Sequence, residues 1–287
     1  MDLETWEATV KYCSEEAIVE RVGRPQFESK FKGPGVTSYF SGNEEREKHN
    51  AQEMFNGSNP VAQIDAVNDP PTSRSGSEKE ANKIPNSCWV RVGMRVMYLY
   101  NSDVRKGLVN GVTGTVMDII YAEGAGPPAL PLCIVVKMDV PLKGVPFFSD
   151  PEKKDWHVIV PIEAKCNRKE KRAGGRGTTV ALSRRGFPIT ACWGMTGHKS
   201  QGTTNSEGAI CHFDEKARTP NIDYVVVSRS VELENVLFKG CVSYERLSSQ
   251  LRTKVLECRL KEEERLEALS ALTIEKYKER TGADINI

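Results

Sequence analysis

Trp193-Gly194-Met195-Thr196-Gly197-His198-Lys199-Ser200-Gln201-Gly202-Thr203-Thr204 is the stretch on which the fold turns. Residues 187–192, Phe-Pro-Ile-Thr-Ala-Cys, lead into it like a core strand, and the run then fills with hydroxyls, a histidine, a lysine and glycines. Hydroxyls, a lysine and the backbone N–H groups of a strand-to-helix turn are what hold a sugar–phosphate chain. Taken alone, the run also reads as an ordinary strand-to-helix loop with a polar tip. About 20 residues on, Tyr224-Val225-Val226-Val227-Ser228-Arg229-Ser230 sets Arg229 at the end of an apolar stretch. A guanidinium there either reaches across a cleft or sits in a surface salt bridge. Tyr224 and Val225 read as packing residues.

Upstream the chain changes character several times. Residues 1–30 read as helical, 36–40 as a short strand, Ser41-Gly42-Asn43 as a turn, and the run through Met54 and Phe55 as a helix. Residues 56–86 shift to Asn, Ser, Pro and Gly, a surface excursion that is flexible at 69–80, with one candidate strand at 61–67. Between Trp89 and Pro161 four or five short runs rich in β-branched residues, separated by Gly, Pro or Asn, predict a small barrel or curled antiparallel sheet. Within it, Asn110-Gly111 predicts a tight hairpin turn with positive φ. From Lys165 to Arg185 eight basic residues, Arg172 and Arg176 among them, face one acid, Glu170, for a local net charge of +7. Such a segment either holds phosphates through counterion release or is a solvated loop or nuclear-targeting run. Trp193 and Trp156 either stack on bases or are buried in the core. After Gly240 no Gly or Pro occurs until Gly282, and leucines spaced among charges predict one or two long helices.

The bulk numbers exclude more than they identify. With 287 residues, 39% of them apolar, the chain can bury a real core. Forty Lys and Arg against 39 Asp and Glu leave a net charge of +1, so attraction to nucleic acid has to come from local clustering. Eight scattered cysteines, without a C-x-x-C pair or a zinc-spaced quartet, predict reduced thiols and no metal site. The N-terminus is acidic and polar, and nowhere do ~18 apolar residues stand together. A soluble intracellular protein with no membrane partner is expected, nucleus and mitochondrion both remaining open.

The two segments quoted first, in this order and spacing, resemble the last two signature motifs of superfamily-one helicases, most closely PIF-type DNA helicases and their RecD-like relatives. Thr196, His198, Lys199, Ser200, Gln201, Gly202 and Thr204 stand in register with T-x-H-K-S/A-Q-G-x-T, and Tyr224, Val225, Ser228 and Arg229 with Y-V-A-L-S/T-R. A further block, Gly93 to Asn101 and Gly107 to Val116, is similar to the family's G-x-x-V-M-x-x-x-N and G-L-V-N-G-x-x-G-x-V. Asn43 and Asn50 match a T-N-x-x-x-x-x-x-N motif whose threonine is Gly42 here. The resemblance covers roughly residues 36–240. Its departures are as informative: the phosphate-binding G-x-x-x-x-G-K-S/T and its acidic pair are absent from the sequence, and Met195 and Gly197 replace the residues that usually flank the threonine.

The resemblance implies an α/β, RecA-like, P-loop-NTPase-type second motor domain with an inserted small β-barrel subdomain and a helical C-terminal extension. Its parts are expected at 1–88 (the start of the motor domain), 89–164 (the insert), 165–240 (the basic loop and the rest of the motor domain) and 241–287 (the extension). Thr196, His198, Lys199 and Ser200 are then the strand-contacting residues, with Arg172 and Arg176 added from the basic loop. Gln201, Gly202 and Asn43 face ATP, and Arg229 is the arginine finger that stabilises charge on the transferring γ-phosphoryl group. ATP and Mg2+ are implied for the complete motor, and single-stranded DNA and a first RecA-like motor domain, in cis or in trans, are the implied partners. The chain alone is expected to be inactive. A non-enzymatic single-stranded nucleic-acid-binding module is the rival expectation, and a protein-interaction element built on the C-terminal helices a third.

Overall fold

Local sequence explains where the first helices begin and stop. In this computed structural model, residues 2–33, 35–78, 81–170, 178–205, 207–213, 222–240, 244 and 254–282 are described, with side chains for all but 75, 166–170 and 178–180. Asp2 caps α1 (Leu3–Tyr12) by accepting from the Thr5 N–H, and Ser14 caps α2 (Glu15–Val22) by accepting from that of Ala17. Gly23, at φ +82°, breaks α2 from α3 (Arg24–Phe31), whose first turn holds Pro25. Then come β1 (Thr37–Phe40), α4 (Asn43–Asn56), β2 (Ala62–Asp65), β3 (Val67–Asp69), β4 (Ser87–Val90) and β5 (Arg95–Tyr98). Next are β6 (Thr113–Ile120), β7 (Cys133–Met138), β8 (Trp156–Ile159), β9 (Ile162–Glu170) and β10 (Thr178–Gly186). The chain continues through β11 (Ile189–Ala191), β12 (Gly194–Thr196), β13 (Ala209–His212), α5 (Ile222–Val227), β14 (Val236–Lys239) and α6 (Lys254–Thr281).

Four of these strands form a parallel sheet in the order β12-β1-β13-β14. A parallel sheet is stable only with both faces covered, and both are. Tyr39, Met195, Cys211 and Phe238 pack with Trp6 of α1 and Val226 of α5, while Ile210 and Leu237 pack with Ile18, Phe27 and Phe31 of α2 and α3. The register pairs Phe40 with Thr196 and His212 with Lys239, so the strand C-termini line up along one edge. That edge is where open α/β sheets bind ligands.

A second sheet, antiparallel and five-stranded, runs β11-β5-β6-β7-β8 over a core that includes Val96, Val116, Ile134, Val136 and Ile159. Only Cys192 and Trp193 separate β11 of this sheet from β12 of the parallel one, and Met97 and Cys192 belong to the parallel sheet's core. The antiparallel layer is therefore rooted in the parallel layer through that short link.

Three local expectations need correction. Residues 56–86 are more than a surface excursion: β2 pairs with β4, and Ile64, Ser73, Ala81 and Ile84 are buried. Much of the basic segment is a two-stranded ribbon rather than a loop, with β9 and β10 paired from Ile162↔Gly186 to Glu170↔Thr178. Arg184, one of the eight basic residues counted there, is 2% exposed and donates to the carbonyls of Ile84, Ser73 and Gly76 and to Asn68 Oδ1. A buried guanidinium is tolerated because its donors are satisfied, and here they also tie down the 68–84 segment. Finally, Asn110-Gly111 does not make a two-residue hairpin: Gly111 takes φ +106° but Asn110 has no positive φ, and residues 99–112 form a longer connection closed by an Asp103↔Leu108 bridge.

None of the residues of α6 is buried. Among the described residues no helix is long and apolar enough to cross a membrane.

Candidate nucleic-acid interface

Past Thr196 the chain closes one helical turn and no more. The Thr196 carbonyl accepts from the N–H groups of Lys199 (2.9 Å) and Ser200 (3.1 Å), and Gly202, at φ +81°, then diverts the chain toward β13. The expected strand-to-helix turn is therefore a strand-turn-strand. Ser200 is fully buried and its hydroxyl donates to the Gly197 carbonyl at 2.8 Å, while Thr196 is also buried. Both sit inside the turn. His198, Gln201 and Gly202 are exposed, and Lys199 is half-buried.

Lys199 links this turn to the antiparallel sheet, its Nζ lying 3.4 Å from Asn110 Oδ1 in the 99–112 connection. Its pKa is lowered, first by loss of solvent and then by the positive charges of Lys83 and Arg46. Three cations set toward one another in this way give the turn a locally positive field that attracts anions. Arg46, in the first turn of α4, and Lys83, held at φ +66°, were not legible as site residues. Nothing in their local sequence marks them, because it is the fold that brings them toward Lys199.

Asn50 shows how the edge is held. Buried on α4, it donates from Nδ2 to the carbonyls of Ala191 (3.1 Å) and Gly194 (3.0 Å) and accepts from the Gly194 N–H (2.7 Å), clamping the helix to β11 and β12. Asn43, at the other end of the same motif, is exposed in the first turn of α4, where Gly42 is the cap and makes no side-chain hydrogen bond.

The arginine segment lies against the turn. A Cβ on Gly197 would stand 2.6 Å from Ile222 Cγ1 and 2.9 Å from Val226 Cγ2, so only glycine lets α5 approach this closely. Asn205 adds two backbone bonds, donating to the Arg229 carbonyl (2.8 Å) and accepting from Val231 (3.2 Å). Its Nδ2 also donates to the hydroxyl of buried Tyr39, whose pKa burial pushes up to about 12. Arg229 itself is folded back on its helix, Nε donating to the Val225 carbonyl (2.9 Å) and Nη2 to Ser228 Oγ (2.7 Å). Tyr224 corrects another expectation: it is 70% exposed rather than packed, because the buried side of this short helix is taken by Ile222, Asp223 and Val226.

Trp193 is half-buried with the Arg91 guanidinium 5.2 Å from its ring centroid, and Trp156 is half-buried below Lys153. Arg172 and Arg176 lie outside the described residues. Among the described residues no three His, Cys, Asp or Glu side chains gather in a metal-binding group.

Comparison with known proteins bears on this arrangement. No family model matches the chain. Over 149 residues, 51% of the chain, it is 28% identical to the ATP-dependent DNA helicase PIF1 of Danio rerio. The chain is a Pif1 helicase homologue. Among solved structures it superposes on Pif1 helicase from Bacteroides in complex with ADP-AlF3 and ssDNA with a TM-score of 0.62, at 19% identity, over 92% of this chain and 51% of that one. Bacteroides Pif1 bound to ssDNA gives 0.55 at 18% identity, covering 93% and 55%, and Pif1 helicase from Candida albicans 0.54 at 17%, covering 87% and 57%. At these identities the superpositions speak to the fold, a mixed α/β arrangement of the RecA-like Pif1 motor type. The chain spans 18% of the curated Pif1 relative and about half the length of the solved ones.

Proposed function

We propose that this Pif1 homologue is the second motor half of an ATP-dependent DNA helicase, acting inside the cell on single-stranded DNA. In this reading the motor domain takes in 1–88 and 165–240, the small β-rich subdomain at 89–164 is its insert, and 241–287 is a helical extension. The observation that carries the proposal is the joining of the Thr196–Gly202 turn to the Arg229 segment, through the Cβ-free contact of Gly197 with Ile222 and Val226 and the Asn205 bonds to Arg229 and Val231. A strand-holding turn and a nucleotide-facing arginine that move as one body are what coupling strand position to ATP state requires.

Within that frame the division of labour follows from burial. His198 and Lys199 present donors to the phosphates, and Thr196 and Ser200 act mainly by fixing the turn, Ser200 through its bond to Gly197. Arg172 and Arg176 add sequence-independent phosphate contacts. Gln201, Gly202 and Asn43 face the nucleotide. Arg229 leaves the Val225 carbonyl to reach the γ-phosphoryl group, a rearrangement that costs about 1 kcal/mol for the hydrogen bond given up. With no G-x-x-x-x-G-K-S/T in the 287 residues, the phosphates and Mg2+ are assigned to a first RecA-like domain in cis or in trans. When bound, ATP with Mg2+ supplies the phosphoryl transfer that drives the motor.

The test is ATP turnover with single-stranded DNA, for the chain alone and mixed with a purified first motor domain of a Pif1-type helicase. The expected result is no turnover alone and DNA-stimulated turnover in the mixture. DNA-stimulated turnover by the pure chain that survives Arg229→Ala overturns the proposal.

A further inference from the structure

The β7–β8 connection, residues 139–155, carries three exposed large apolar side chains. Val140, Val145 and Phe147 are 71%, 93% and 60% exposed. A solvated aromatic of this kind usually sits on a loose loop, but this one is built in. Phe147 stands edge-on to Phe148 (ring centroids 5.3 Å apart) and to His157 (5.9 Å), and Phe148 stands edge-on to Trp156 (6.2 Å). Three half-buried rings thus support a fourth that faces solvent.

The connection is also pinned along its length. Asp139 is held by Nη1 and Nη2 of Arg95 at 2.5 Å and by the Thr113 hydroxyl, the Lys143 N–H donates to the Lys106 carbonyl at 2.8 Å, and the Met138 N–H donates to that of Asp155. Lys106 belongs to the same 99–112 connection whose Asn110 meets Lys199. A run of contacts therefore leads from the Thr196–Gly202 turn toward the ring cluster, from Lys199 to Asn110 and, within the same connection, from Lys106 to Lys143, four residues before Phe147. Lys153 stands 5.4 Å from the Trp156 ring centroid.

We infer that Phe147, backed by Phe148, His157 and Trp156, is a base-stacking platform for the single strand that passes over the Lys199 turn. Every base has a π-face, so such a platform binds without regard to sequence, and a ring already held by its neighbours loses little freedom on stacking. The phosphates are left to the turn and the lysines, and the ring takes the bases. This inference rests on the reading of the chain as a strand-binding motor half.

The test uses the full chain and fluorescence anisotropy with fluorescein-labelled oligo(dT) and an abasic oligomer of equal length. Phe147→Ala is expected to weaken oligo(dT) binding about tenfold, leaving the dependence on salt unchanged. Phe147→Tyr should restore affinity, Phe147→Leu should not, and on the abasic oligomer Phe147→Ala and the unaltered chain should bind alike. Equal binding of oligo(dT) by Phe147→Ala and the unaltered chain overturns the inference, as does an equal loss on both oligomers. If Phe147→Ala instead weakens association with a supplied first motor domain and leaves oligo(dT) binding intact, the cluster is an interdomain contact and the inference is likewise overturned. Lys199→Ala separates the two levels. Loss of affinity in that variant without loss in Phe147→Ala removes only the platform, whereas an unaltered chain that binds neither oligomer removes the strand-binding reading with it.

Discussion

Substituting Gly197 by alanine tests whether the two motifs are mechanically one unit. The new Cβ would meet Ile222 Cγ1 at 2.6 Å, Ile222 Cδ1 at 2.7 Å and Val226 Cγ2 at 2.9 Å, all closer than carbon atoms tolerate. The Ile222 Cδ1 end can swing aside, but the Cγ1 and Val226 Cγ2 atoms are attached directly to Cβ on a short helix and can yield only if α5 shifts. Overpacking of this kind costs about 1–3 kcal/mol. For a chain of this size that corresponds to a fall in Tm of about 2–10 °C, read by thermal unfolding. A double-mutant cycle with Ile222→Ala isolates the contact: if the clash is the cause, Gly197→Ala should cost at least about 1 kcal/mol less in the Ile222→Ala background. Because Gly197 lies in the turn that presents His198 and Lys199, and its carbonyl accepts from Ser200, single-strand affinity should fall in the same variant and recover in the double mutant. A Gly197→Ala protein with unchanged Tm, or a cycle that is strictly additive, would refute the argument that the turn and α5 are locked together.

Other perturbations address separate parts of the account. Arg184→Ala should destabilise the chain by about 3 kcal/mol or more in urea unfolding, because it strands the buried carbonyls of Ser73, Gly76 and Ile84, and Arg184→Lys should recover little of the loss. A cost below about 1 kcal/mol would mean those carbonyls find water instead. His212, stacked on Phe40 with ring centroids 4.3 Å apart, has its pKa lowered to about 4 by burial, then by Lys239 and His49. It is therefore neutral in the fold while the unfolded chain takes up a proton below its ordinary 6.5, so stability should fall as pH drops from about 6.5 to about 4. His212→Gln should flatten that part of the Tm-versus-pH curve, leaving a smaller slope from His49, whose shift has the same direction. An unchanged slope would show that His212 is solvated in the folded protein.

The first motif and the arginine segment stood out in the sequence by residue types at fixed spacing, and the apolar lead into the first forms β11 of the antiparallel sheet, with the parallel strand β12 following two residues on. The helical N-terminus and the antiparallel strands were legible for the same reason, periodicity and turn residues being local signals. What failed was non-local. An alternating strand pattern does not name its partner, so nothing announced that β4 pairs with β2. A count of charges cannot separate Lys165, which is solvated, from Arg184, which is buried, because only the carbonyls gathered from 73 to 84 make that burial tolerable. Asn110-Gly111 looked like a hairpin turn because the dipeptide usually is one, whereas here the connection is lengthened and Asn110 serves as the contact for Lys199. Gly197 read only as a departure from the motif's usual flanking residue, and its close approach to α5 depends on residues about 25 positions away.

The central claim, that one unit carries a strand-holding function on Lys199 and a nucleotide function on Arg229, is tested most directly by steady-state ATP turnover in a two-domain motor reconstituted with this chain. Arg229→Ala should lower kcat by about 10³ or more with single-strand affinity nearly intact, since the arginine acts on the transition state. Arg229→Lys controls for the contact with the Val225 carbonyl: it keeps a positive charge that can cap the helix but lacks the guanidinium fork, and it should be nearly as slow. Lys199→Ala should raise the DNA concentration needed for stimulation and leave turnover at saturating DNA much closer to normal, since it removes ground-state strand binding. Equal losses of strand affinity and of saturated turnover in both alanine variants would contradict the account, because they would report a damaged fold rather than two separable functions.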